Sequence, residues 1–308
     1  MPHRTMNSAQ APKGLRWWFP QMPAERLAVL RILVGTYSVI YFTARLPYWL
    51  SFSRHRPIQF QPVGLLRWLE HPLHPAVYQT FVAAAVLTSV LFLLGAAYRL
   101  TAPLFALCLG VVLTYANCWG AVLHTDNLWL MHVWVLALAP AADAHSFDHR
   151  NQPVPPAHFK YGWAVRLMCW ICVLTYFLAG LAKLKNSGLA FVEGDSLRNF
   201  VAMDNVRKIE LGSVHSPLAA VALSSSSAFQ VLAAGSLLLE LLAPLVMLQR
   251  KVAKTWAVAM WCFHVGVLAL MAIVFLYPLT FVAFAPFFRT ERLSRWIARR
   301  RAVRWVTG

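Results

Sequence analysis

The chain has 308 residues, of which 59% are hydrophobic, with a net charge of +17 and a mean hydropathy of +0.56. Soluble domains average roughly 45–50% apolar, so this composition, gathered into long continuous runs without period-two alternation, excludes both a soluble globular domain and a membrane barrel. The basic residues flank the apolar runs, which is the positive-inside pattern of a membrane protein and excludes a nucleic-acid surface.

The spacing predicts an all-α polytopic membrane protein, a bundle of about eight transmembrane helices with a basic amphipathic helix at its C-terminal end. Residues 1–24 read as a polar, basic, cytoplasmic segment, with Pro2, Pro12 and Pro20 and no apolar signal core. The membrane domain is expected over 25–288. Its spans are Leu27–Ala44, Val77–Tyr98, Leu100–Trp119, a short Leu128–Pro140, Tyr161–Leu184, Val231–Leu248, Trp256–Phe275 and a short Leu276–Phe288. Pro62 suits the first turn of a short interfacial helix in the connection after the first span. Residues 289–308, with Arg289, Arg292, Arg295, Arg299, Arg300, Arg301 and Arg304 among Leu293, Trp296, Ile297 and Trp305, read as a cytoplasmic helix on anionic lipid.

An even number of spans puts both termini and the basic Arg250–Lys254 connection in the cytoplasm of a plasma (inner) membrane. The loop from His124 to Asn127 and the connection Lys185–Ala228 then face outward. No internal repeat marks an inverted-repeat transporter. Cys169 and Cys172 form a CxxC inside an apolar run, where they read as small core residues rather than a redox pair.

Few ionisable residues fall inside the apolar runs, and these are the candidate site. Lys183 ends the run from Tyr161. It either snorkels to the interface or is kept for chemistry, since a desolvated neutral amine is a competent base. Glu240, in LLLELLAP, needs a cationic partner, with Arg31, Arg166 and Lys183 as candidates. His264 lies amid apolar residues in WCFHVG and reads either as a hydrogen-bonded core residue or as a site residue. His124 opens HTDNL, where Thr125, Asp126 and Asn127 serve either the site or the cap of the next helix. Lys183, His124 and His264 are the catalytic candidates, and Asp126, Asn127, Glu240 and Arg31 the cavity candidates. His145 and His149 are four apart near Asp143 and Asp148, but no HExxH or comparable ligand pattern occurs, so no metal is expected.

YFLAGLAKL (Tyr176–Leu184) followed by FVEGDSL (Phe191–Leu197) resembles the corresponding stretch of the vitamin K-dependent γ-glutamyl carboxylase membrane domain and of the wider HTTM (horizontally transferred transmembrane) family. RILVG from Arg31, FQPVGLL from Phe60, HTDNL, SFD from Ser146, LLLELLAP and FHVG follow in the same order over roughly residues 25–290. The resemblance implies Lys183 as the base toward a reduced quinone (vitamin K or menaquinone hydroquinone), with O2 and CO2 as co-reactants, His124 as a polar partner and His264 as a cavity residue. Where the carboxylase has paired lysines, this chain has Ala182–Lys183.

The reading that follows is a lyase- or oxidoreductase-like membrane enzyme that oxygenates a quinol to deprotonate or carboxylate a substrate. Its alternatives are a non-catalytic membrane partner in maturation, export or immunity of a secreted peptide, and a small-molecule transporter.

Overall fold

A computed structural model of the protein describes residues 13–296. Among them the chain is helical, with no strand beyond an isolated antiparallel bridge between Met22 and His158. It forms two compact units that divide between Met168 and Cys169, the segment from Arg289 belonging with the first.

The first unit contains α1 (Ala24–Ala44), α2 (Leu46–Ser51), α3 (Pro75–Leu94), α4 (Tyr98–Ala116), α5 (Asn127–Leu138) and the start of α6 (Phe159–Ser187). Its helices begin and end where local chemistry dictates. Pro75 opens α3 at a position whose N–H needs no helical partner. Gly95 closes α3 in the left-handed region at φ 63°, and Ala96 N–H reaches back to the Leu91 carbonyl. The Asp148 carboxylate accepts from both Ala97 N–H and Tyr98 N–H at 2.8 Å, which caps α4 from a loop fifty residues further on.

These contacts fix the direction of the helices. Met22 exchanges backbone hydrogen bonds with His158, and Tyr98 Oη donates to the Leu136 carbonyl at 2.9 Å. The start of α1, the end of α3, the start of α4 and the end of α5 therefore share one end of this unit. The returning chain docks there too, since Thr290 Oγ1 donates to the Arg26 carbonyl and Arg295 pairs with Glu25. Trp129, Tyr37, Tyr41, Phe42 and Trp49 pack edge to face near the opposite end.

The second unit holds the rest of α6, then α7 (Asp195–Glu210), α8 (Pro217–Ala222), α9 (Ser226–Leu241), α10 (Arg250–Met271) and α11 (Leu276–Leu279). Phe191, Ala233 and Leu237 form one buried cluster, and Val201, Ala219 and Phe229 another.

Five helices among the described residues are long and apolar enough to cross a membrane: α1, α3, α4, α6 and α10. This corrects the expected bundle of about eight spans. Leu128–Pro140 is realised as the 12-residue α5, which at 1.5 Å per residue is about 18 Å long. Val231–Leu248 breaks after Leu241, where Pro244 diverts the chain into a 3-10 turn. Leu276–Phe288 is a four-residue helix and a 3-10 turn containing Pro286. The runs are apolar enough, but the helices and turns they form are below spanning length. The expected amphipathic tail falls largely outside the described residues; within them, 291–296 are helical.

Candidate functional site

The second unit brings together three of the expected residues. Tyr176, Gly180 and Lys183 recur at four and three residues on α6, so they share one helix face. At Gly180 the neighbouring helix comes very close: a Cβ built there would meet Glu240 Cβ at 2.9 Å and Leu241 Cδ2 at 3.2 Å. That approach lets Lys183 Nζ donate to Glu240 Oε1 at 2.7 Å across α6 and α9. The Glu240 side chain is 3% exposed and that of Lys183 28%, so the lysine turns toward its partner with its stem partly open. The amine also lies 5.4 Å from the Phe191 ring centre and 5.6 Å from that of Phe263, within cation–π range.

Two turns before Lys183, the Tyr176 hydroxyl and His264 Nε2 are 2.7 Å apart. Trp256, Phe275 and Phe284 surround this pair. Glu240 Oε2 and His264 Nδ1 are buried and have no hydrogen-bond partner among the described residues. A buried polar atom without a partner costs free energy, which marks these two as places where a ligand hydroxyl would be welcome.

The remaining candidates lie in the first unit. Arg31, fully buried, spends its guanidinium on the carbonyls of Phe92 (3.3 Å), Leu93 (3.1 Å) and His145 (2.5 Å). It is a clamp between α1, the end of α3 and the loop after α5. Asp126 occupies the cap position of α5 without bonding the helix N–H groups. Its carboxylate accepts from the Tyr41 hydroxyl at 3.3 and 3.4 Å, and Arg45 Nη1 donates to that hydroxyl at 2.6 Å. Burial pushes the Asp126 carboxyl up, opposed by the Tyr41 hydrogen bond and the Arg45 charge. Asn127 N–H bonds the His124 carbonyl, and both side chains are exposed.

Tyr176 escaped the sequence reading, although its spacing before Lys183 was a usable signal, whereas the small residues within Ala179–Ala182 before Lys183 already pointed to the close helix approach found at Gly180. His132 escaped the sequence reading too. It is fully buried on α5 with Nε2 donating to the Met168 carbonyl at 3.2 Å. Cys169 and Cys172 are buried. No cluster of three metal-ligating side chains occurs among the described residues.

The family model described as HTTM domain matches residues 19–292. No curated protein and no solved structure matches the chain.

Proposed function

The chain belongs to the HTTM family, and from that premise we propose that it is a membrane enzyme in which Lys183, held by Glu240, accepts a proton from a reduced quinone taken from the bilayer. The Lys183–Glu240 contact is the observation that carries this reading, because it sets an amine beside a carboxylate at a site bordered by aromatic rings.

A hydroquinone offers a flat apolar ring and hydroxyl groups at its two ends. The residues present fit that chemistry. Phe191 and Phe263 suit the ring, and the unpartnered Glu240 Oε2 and His264 Nδ1 suit the hydroxyls. Bound together with O2, a reduced quinone supplies a strong base through its own oxidation.

The protein's part is positioning and proton handling. A proton moving from Lys183 Nζ to Glu240 Oε1 along their hydrogen bond leaves the amine lone pair free to accept another. Tyr176 fixes the His264 ring by its Nε2, which leaves Nδ1 as the free contact. Apolar packing around both groups keeps water from competing for these protons.

The chain is an integral membrane protein. We place the end of the first unit carrying Arg26, Arg99, Lys160 and Arg295 in the cytoplasm, on the positive-inside rule. Asp126 and His124, at its other end, then face outward.

The test is consumption of reduced menaquinone under O2 by the protein in lipid nanodiscs. The reading expects consumption that disappears in Lys183→Ala while the variant stays inserted and monodisperse. Equal consumption by the two proteins would overturn it.

A further inference from the structure

The connection between α6 and α9 carries a helix, α7, that is bound to the end of one membrane span and exposes large apolar side chains. On its inner side, α7 serves the end of α10. The last carbonyls of any helix lack helical donors, and at a water-exposed end water supplies them. Here side chains do so. Asn205 Nδ2 donates to the Leu270 carbonyl at 2.9 Å, Lys208 Nζ to that of Met271, and Ser216 Oγ to that of Ala269. Asn205 Oδ1 in turn accepts from Ser216 N–H at 2.8 Å. Protein donors at the end of a membrane span are what a site poor in water demands.

The outer side exposes large apolar side chains alongside a few polar ones. Phe200, Met203, Val206 and Ile209 on α7, then Leu211 and Val214, are each more than half exposed. Asn199, Arg207 and Glu210 are exposed among them on the helix, so the apolar side chains are interspersed with two charges and an amide. Asp204 is neutralised by Arg207 at 2.9 Å and Lys208 at 2.7 Å. A run of large exposed apolar side chains of this extent marks an interaction surface. Its place decides the partner. The helix follows directly on a span whose own outer face, Leu174, Leu178 and Leu181, is exposed leucine, and its inner side is tied to the last turn of a second span.

We propose that α7 and the turn after it lie in the headgroup–acyl boundary of the bilayer, with the Phe200–Ile209 side in contact with acyl chains. The polar connection read from the sequence is on this account a lipid-seated helix rather than a platform for a soluble partner. The inference stands independently of any chemistry at Lys183.

The experiment attaches a nitroxide to Met203→Cys or Val206→Cys in the full chain, with the exposed Cys262 changed to serine, in phosphatidylcholine–phosphatidylglycerol vesicles. Arg150→Cys, in a loop of the first unit, is the aqueous control. We expect dissolved O2 to relax the labels at 203 and 206, and a water-soluble nickel chelate to lose the effect it has at 150. Chelate access equal to the control at both positions would put the face in water and overturn the proposal. Protection from both relaxers would indicate a protein partner and overturn it equally. Agreement between two adjacent positions guards against distortion by one label.

Discussion

Lys183 and Glu240 meet at 2.7 Å because Gly180, one turn before Lys183 on α6, leaves no side chain between the two helices. The pair solves the problem that each residue poses alone, a charge in an apolar segment. Removing one partner should therefore cost more than removing both. Lys183→Met strands a buried carboxylate and should cost about 3 kcal/mol, the low end for a broken buried pair because the lysine stem is partly exposed. Lys183→Met with Glu240→Leu should recover most of the loss. Thermal unfolding in detergent checks this, and equal melting of the single and double variants would contradict it.

Gly180 makes a separate prediction. A leucine there must displace Glu240 and Leu241, whose atoms lie within 3.3 Å of a Cβ at that position. Overpacking of this kind costs about 1–3 kcal/mol. Gly180→Leu should lower the melting midpoint and weaken the Lys183–Glu240 contact, whereas Gly266→Leu, where a Cβ meets nothing within 4 Å, should be mild. Comparable melting of the two variants would count against close approach at Gly180.

Arg31 is predicted to be structural. Its three carbonyl partners belong to α3 and to the loop after α5, so Arg31→Leu removes a donor from each, with only the Phe92 carbonyl keeping another among the described residues, in the Gly95 N–H. The expected loss is about 2–5 kcal/mol. Arg31→Lys should recover little, since a single ammonium cannot span acceptors set for a planar fork. A melting midpoint for Arg31→Lys close to wild type would contradict the clamp.

Much of the membrane architecture was legible in the sequence, because continuous apolar runs demand burial in lipid whatever their partners. The number of spans was not. Pro244 breaks a run that hydropathy alone joins, and Leu276–Phe288 folds into a short helix and a 3-10 turn. At the site, an ionisable residue within an apolar run announced Lys183 and Glu240, since such a group needs a partner. Which cation would serve Glu240 stayed open among Arg31, Arg166 and Lys183. The choice depends on helix–helix approach at Gly180, and one chain's hydropathy contains no information on approach. Asp148 shows the same limit: a capping carboxylate fifty residues from its helix leaves no local pattern.

Asp126 predicts a pH dependence. Its carboxyl is raised by burial, so the folded protein holds this proton more tightly than the unfolded chain does. The contribution is fully present below the ordinary carboxylate range and is lost as pH rises through the raised folded value. Wild type should thus lose part of its stability as pH rises above the ordinary carboxylate range of about 4, and Asp126→Asn should lose less over the same rise. Melting midpoints across that rise test the sign. A larger loss in Asp126→Asn would reverse it.

The central claim is that Lys183 is a proton acceptor in quinol oxidation, and one measurement addresses it most directly. Wild type, Lys183→Ala and Glu240→Gln are incubated in nanodiscs with reduced menaquinone and isotopically labelled O2, and the extracted lipids are read by mass spectrometry. The account predicts a labelled, oxygenated quinone from wild type, none from Lys183→Ala, and a reduced amount from Glu240→Gln, all three proteins being correctly inserted. No labelled product from wild type, or the same yield from Lys183→Ala, would contradict it and leave the Lys183–Glu240 pair as a structural bridge between α6 and α9.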